Sequence, residues 1–262
     1  MIGLLFILLL SYVAIPFAVG LFFIFLFLGI FSIPVAMIVI ILLILKKNER
    51  YQNGSYHQAT GQPYASVRNS KGSYGEYLTY RELEHFEAYG AKFLFNLYVP
   101  KENGEMTEID LLMVCPSGVF VFESKNYSGW IFGREEQKNW CQTLPAGRGR
   151  SKKFYFYNPI MQNRAHVKHL RALLADQIPL HSIIVFSDRC VLKNISITSK
   201  DVHVVKRHNL NAVVTEICNR VGTHFLREMD IAAIYERLYP FSQADAMKKE
   251  RHVENIRSHI NE

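Results

Sequence analysis

Apolar residues fill the first 45 positions of the chain almost without a break, mostly Leu, Ile, Val, Phe and Ala, with no Asp, Glu, Lys or Arg among them. About 20 apolar residues suffice to cross a bilayer, and a straight helix of this length would run about 68 Å at 1.5 Å per residue. The pattern therefore predicts one or two transmembrane helices. A hairpin of two spans is favoured, bending between Pro16 and Phe25, with Gly29 and Pro34 as further kinks. A cleaved leader fits poorly, because no basic segment precedes the run and the run is far longer than a leader's core. Lys46, Lys47 and Arg50 follow at once, so the positive-inside rule places everything after residue 45 in the cytoplasm. Residues 1–45 are expected to anchor the chain in a lipid bilayer, taken as a bacterial inner membrane.

Beyond the anchor the pattern changes. Residues 46–71 read as a basic juxtamembrane segment and a flexible linker, since Tyr51 to Lys71 is rich in Gly, Ser, Gln, Asn and Tyr with little apolar periodicity. A helix is predicted over 73–89, a strand over 93–99, and then two apolar runs, Ile109 to Val114 and Val119 to Phe122, flanking Cys115-Pro116-Ser117-Gly118. Pro116 presets a turn and Gly118 can take a positive φ, so the runs form a β-hairpin. Asn158 and Pro159 start a helix as N-cap and N1, with Ile160, Val167, Leu170 and Leu174 as its apolar stripe. Ser182 to Phe186 and Val202 to Val205 are short strands, Leu210 to Arg220 and Ile231 to Leu238 are helical, and Gln243 to Ile260 is a charged helix. The fold class is α/β, a mixed β-sheet flanked by helices. Residues 72–174 make its core, 175–241 extend the same domain, and 242–262 form a charged C-terminal helix.

The hairpin carries chemistry. With Val114 opposite Val119 and Leu112 opposite Val121, Asp110 falls opposite Glu123, and period two puts Asp110, Glu123 and Lys125 on one face. Like charges opposed across an antiparallel pair repel. A hard divalent cation converts that repulsion into coordination, and Mg²⁺ uses one or two carboxylates plus waters and substrate phosphate. Lys125 could then orient or deprotonate the attacking water, or hold the scissile phosphate. A surface ion pair at a sheet edge would give the same letters, so the flanking residues matter. Glu76 shares an i, i+4, i+7 stripe with Tyr80 and Leu83, and Gln162, His166 and His169 form a polar stripe beside the apolar one on the later helix.

Residues from about Gly72 to Leu174 resemble the NERD, or nuclease-related, domain, which is placed in the PD-(D/E)xK nuclease-like superfamily. The resemblance rests on Gly75-Glu76, Glu108-Ile109-Asp110, Gly118-Val119-Phe120-Val121, Glu123-Ser124-Lys125-Asn126-Tyr127, Gly129-Trp130-Ile131, Trp140, and Asn158-Pro159-Ile160 with Gln162. It implies a restriction-endonuclease-like core with Glu76, Asp110 and Glu123 as ligands of Mg²⁺ or Mn²⁺, Lys125 as the catalytic lysine and Gln162 as an accessory polar residue. Ser124 stands where an apolar residue is common, but it points to the opposite face.

Charge and cysteine content add partners and compartment. All 30 basic and 23 acidic residues lie after position 45, and the net charge of +7 suits a polyanion or an anionic lipid surface. Arg148, Arg150, Lys152 and Lys153 run directly into Phe154-Tyr155-Phe156-Tyr157, cations beside aromatics as a nucleic-acid channel uses them, though a solvated loop before a buried strand would look alike. Cys115, Cys141, Cys190 and Cys218 show no metal-ligand spacing and read as free thiols of a reducing compartment. The expected function is a membrane-anchored, metal-dependent nuclease acting on DNA or RNA at the cytoplasmic face. The alternative is a non-catalytic domain that tethers nucleic acid or a protein to the membrane.

Overall fold

A computed structural model describes residues 2–147, 149–222 and 225–243, and the chain divides into two compact units meeting at Gly54 and Ser55. The first is one helix, α1 (Ile2–Gln52), of 51 residues. No hairpin interrupts it. Between Pro16 and Phe25 the sequence offers a single Gly and no polar turn former, and an apolar helix tolerates an internal proline more readily than a reverse turn with unsatisfied backbone groups. By length and composition its Gly29–Gln52 stretch can cross a membrane.

The second unit opens with two short helices, α2 (Ser55–Thr60) and α3 (Tyr64–Asn69), where a flexible linker was expected. The correction has an aromatic cause. Tyr56 is buried against Tyr77, Tyr80 and Phe95, with ring centroids 5.3, 6.2 and 5.0 Å away, and Val67 is also buried. Then follow α4 (Lys71–Leu83), capped by the Ser70 hydroxyl, a 3₁₀ turn, and strands β1 (Lys92–Pro100), β2 (Met106–Cys115) and β3 (Gly118–Lys125). Next come β4 (Gly129–Arg134), β5 (Asn139–Pro145), β6 (Ser151–Tyr157), α5 (Pro159–Arg171), β7 (Leu180–Phe186), β8 (Cys190–Ser196), β9 (Val202–Lys206), α6 (Leu210–Val221) and α7 (Glu228–Ser242). The charged helix expected over 243–260 lies almost wholly outside the described residues.

The strands form two mixed sheets rather than one. The first has the order β1-β2-β3-β7-β9 and the second β6-β5-β4-β8. In the first, β1, β2 and β3 are antiparallel while β3, β7 and β9 are parallel. Its continuous apolar runs are covered on both faces, as buried parallel strands require. Val119 and Val121 join Leu170 and Leu174 of the α5 region and Ile231, Ile234 and Leu238 of α7 in one core cluster. On the opposite face α4 approaches, with Thr79 Oγ1 3.1 Å from Ser124 Oγ.

Two consecutive crossovers join the sheets side by side. β3 leads into β4 and β7 into β8, and both pairs are parallel. The connections are bonded to each other. Ser187 N–H donates to the Lys125 carbonyl (3.0 Å), and Arg189 Nη2 donates to both the carbonyl and the side-chain oxygen of Asn126 (2.9 Å each). The second sheet packs through Trp140, whose ring stacks on Phe186 at 6.1 Å and 3°. Buried Asn158 caps α5 by accepting from Ile160 N–H (2.9 Å), while its Nδ2 donates to the carbonyls of Glu135 (2.8 Å) and Gln137 (2.7 Å) in the β4–β5 turn.

Candidate active site

The β2–β3 ladder has the expected register, Val114 with Val119 and Leu112 with Val121, closing through Cys115 and Gly118 around a two-residue turn. Gly118 has φ +123°, and a Cβ there would lie 2.6 Å from the Pro179 carbonyl oxygen, so both its dihedral and its space call for glycine. Toward the site the ladder stops one pair short of the expected Asp110–Glu123 opposition, at Leu111–Phe122. The β1–β2 register also skips Asp110, passing from Leu111 to Ile109 where Asn96 takes a left-handed φ of 51°. Asp110 thus has no ladder partner on either side. Irregularities of this kind free a side chain from the pleat and re-aim it. The carboxylate bridges the gap itself, its Oδ2 accepting from Ser124 N–H at 2.9 Å.

Glu123 is buried, 1% exposed. Its two oxygens take different partners: Lys125 Nζ lies 2.6 Å from Oε1, and His166 Nε2 lies 3.2 Å from Oε2. A carboxylate only accepts, so Nε2 donates to Glu123, and Nδ1 lies 2.9 Å from the Thr107 hydroxyl. Lys125 Nζ also donates to Gln162 Oε1 at 3.0 Å. Gln162 and His166 are one turn apart on α5, so a single helix face holds both the lysine and the carboxylate it pairs with.

Electrostatics link Glu76 and Asp110 to this pair. Both keep part of their surface at solvent although protein crowds them. Glu76 is pushed up to about 8, by burial first and then by the charges of Glu108 and Glu123. Asp110 is raised well above the usual carboxylate range by burial and by Glu123 and Glu76. Burial would raise Glu123 too, but Lys125 and His166 overrule it and hold its carboxyl below the ordinary value. Burial works against the Lys125 charge as well, and Glu123 and Asp110 reverse that and raise it. At neutral pH the site therefore carries one ion pair beside a Glu76 carboxyl that retains its proton, and Asp110 is pushed in the same direction. Among the described residues no three Asp, Glu, His or Cys side chains converge into a ready-made metal cage. The donor chemistry nonetheless suits a hard cation: buried carboxylates whose mutual repulsion a divalent charge would relieve, beside a lysine that now supplies part of that compensation.

Residues 71–187 match the model of the nuclease-related domain, NERD. This stretch is a NERD domain. The chain is also similar to an uncharacterized protein of Bacillus anthracis, 36% identical over 144 residues that make up 55% of this chain and 66% of that protein, just under two thirds of its length. No solved structure matches the chain.

The NERD domain brings together five residues expected from the sequence, namely Glu76, Asp110, Glu123, Lys125 and Gln162. It adds His166, read from the sequence only as part of a polar helix flank. Its place one turn after Gln162 on the face toward β3 was the available signal. The basic cluster is arranged differently from the expected loop. Arg148 lies outside the described residues. Arg150 is exposed in the turn before β6, and Lys152 and Lys153 are on β6 itself. That strand is an exposed sheet edge, not a buried one, with Phe154 40%, Tyr155 71% and Tyr157 48% exposed.

Proposed function

We propose that the NERD domain is a metal-dependent nuclease of the PD-(D/E)xK type that hydrolyses phosphodiester bonds of DNA or RNA, tethered by α1 to the cytoplasmic face of a membrane. The observation that carries this reading is the convergence of Asp110, Glu123 and Lys125, with Gln162 and His166 bracing them from one helix face. Glu76, Asp110 and Glu123 would hold Mg²⁺ or Mn²⁺. A cation bound there supplies a water of lowered pKa and compensates charge on the phosphate. Lys125, steered by Gln162, presents its ammonium to the scissile phosphate or to the attacking water. His166 fixes one oxygen of Glu123 and leaves the other for the lysine side of the site. Arg150, Lys152 and Lys153, with Arg148, provide phosphate contacts. Membrane attachment is supported by the Gly29–Gln52 stretch, and its orientation by Lys46, Lys47 and Arg50.

The test is cleavage by the full-length protein in detergent on labelled single- and double-stranded DNA and RNA. Cleavage that needs Mg²⁺ or Mn²⁺ and disappears in Asp110→Asn supports the reading, and no cleavage of any substrate with either metal removes it. One observation favours a second reading, a non-catalytic domain that binds nucleic acid or protein: the Glu123–Lys125 ion pair at 2.6 Å already neutralises the carboxylate that a cation would need. Mn²⁺ titration separates the two. A catalytic site binds Mn²⁺ and loses it in Asp110→Asn, whereas a tether binds its partner with or without metal.

A further inference from the structure

The nuclease reading leaves the outer face of the second sheet unused. Strand register places Val191, Trp130, Thr143 and Lys153 in one row across all four strands, and Asn194, Phe132, Cys141 and Tyr155 in the next. These rows share the face opposite Trp140 and Phe156, which point inward. The face is rich in aromatics and open, with Trp130 51% exposed. A solvated face of a mixed or antiparallel sheet is normally polar. Its charge is one-sided: Arg134, Lys153 and Lys193 lie on it or at its rim, and β4, β5, β6 and β8 contain no Asp or Glu. The Lys193 ammonium sits 5.6 Å from the Trp130 ring centroid, adding a cation to a stacking surface. Beside Trp130 lies a concavity of about 320 Å³ walled by Phe132 and Tyr155, with Arg134 and the amides of Gln137, Asn139 and Asn194 around it. Each amide offers donors, and Asn139 and Asn194 offer acceptors as well, while the Gln137 oxygen already accepts from Arg134 N–H at 3.0 Å.

We propose that this face binds an unpaired stretch of nucleic acid, taking one base between Phe132 and Tyr155 and stacking another on Trp130. The identity of the polymer rests on the nuclease reading; the choice of single strand over duplex rests on this surface. Aromatic rings can stack only on bases whose faces are free, and amides can read only edges that are not already paired. Cations without acids complement the backbone. The inner face of the same sheet stacks Trp140 on Phe186, which pairs with Lys125 in the β3–β7 register. The platform therefore lies on the far side of its sheet from the carboxylates and holds the strand away from the bond that is cut.

Trp130 and the buried Trp140 are the chain's two tryptophans, so Trp130 emission reports occupancy. Full-length protein in detergent, with a metal chelator present, is titrated with single-stranded DNA and RNA oligomers of about 12 nucleotides and with duplexes of the same length. Saturable quenching by single strands, with weak response to duplex, is expected. By fluorescence anisotropy, Trp130→Ala and Tyr155→Ala should each weaken single-strand binding by about tenfold or more, and Lys193→Glu should weaken it and flatten its salt dependence. Circular dichroism confirms folding, and quenching of Trp130 in Tyr155→Ala gives a second readout. Single-strand affinity unchanged in both aromatic variants, or duplex bound as tightly as single strand, overturns the platform. Because binding is read without metal, strands bound through these residues but never cut would remove the nuclease reading alone. Cleavage with binding indifferent to these residues would remove the platform alone.

Discussion

The two sheets divide the chemistry of this domain between them. All three acidic strand residues, Glu108, Asp110 and Glu123, belong to the five-stranded sheet, where helices cover them and Glu76, Lys125, Gln162 and His166 converge on two of them. The four-stranded sheet has no acid in any strand and turns Trp130, Phe132 and Tyr155 outward. Burial gives the first sheet its leverage, because a carboxylate removed from water responds strongly to each neighbouring charge. Exposure gives the second its reach, since an open aromatic face and exposed cations can meet a polymer of many shapes. One chain thus builds a site from desolvated groups and, a few residues later, a surface from solvated ones.

The largest effects that would break this contrast concern activity. Asp110→Asn and Lys125→Ala are each expected to lower metal-dependent cleavage by about a hundredfold or more while leaving the circular dichroism spectrum unchanged. Equal loss from changing an exposed cation such as Lys152 would mean that chemistry is not confined to the first sheet. In stability, Trp140→Ala should cost about 3–5 kcal/mol in denaturant unfolding, because that side chain is the second sheet's main hold on Phe186. Gly75→Ala follows. A Cβ at Gly75 would lie 2.7 Å from Asn126 Cβ, so about 1–3 kcal/mol of overpacking is expected, with reduced cleavage because Glu76 shifts with its helix.

The pH response sharpens the comparison next. Glu76 holds its proton up to about 8 in the folded chain but releases it near 4.5 when unfolded, and Asp110 is raised in the same direction. The stabilising effect of the Glu76 proton is complete at the acid end and is lost as pH climbs from 4.5 to about 8, and Asp110 acts in the same sense. The melting temperature should fall across that window. Mn²⁺ should reduce the fall and bind more tightly as pH rises, and Glu76→Gln should flatten it. A melting temperature that rises steadily over the same range would contradict the protonated Glu76 carboxyl. Trp130→Ala gives the smallest effect, within about 0.5 kcal/mol; a value near that of Trp140→Ala would show that the outer face packs against something.

Legibility from sequence followed the range of the interactions. The hairpin register, the glycine at 118 and the Asn158 cap depend on residues a few positions apart, and the sequence reading has them in place. Asp110, Glu123 and Lys125 were found because period two is a local rule. The gap in both ladders at Asp110 was not readable, since it depends on the backbone of Asn96 in another strand. The second sheet was missed for a related reason. β6 is an exposed edge without buried alternation, and β8 joins by parallel pairing with a strand far away in sequence. Tyr56 looked like part of a polar linker because its partners Tyr77, Tyr80 and Phe95 come from later elements.

The doubled crossover between the sheets has a mechanical meaning. A single extended link would behave as a swivel, about which the outer sheet could rotate freely. Two links side by side, riveted by Ser187 to Lys125 and by Arg189 to Asn126, act with the Trp140 stack as a seam fastened at several points. Lys125 is the last residue before that seam, so its backbone is anchored from both sheets at once.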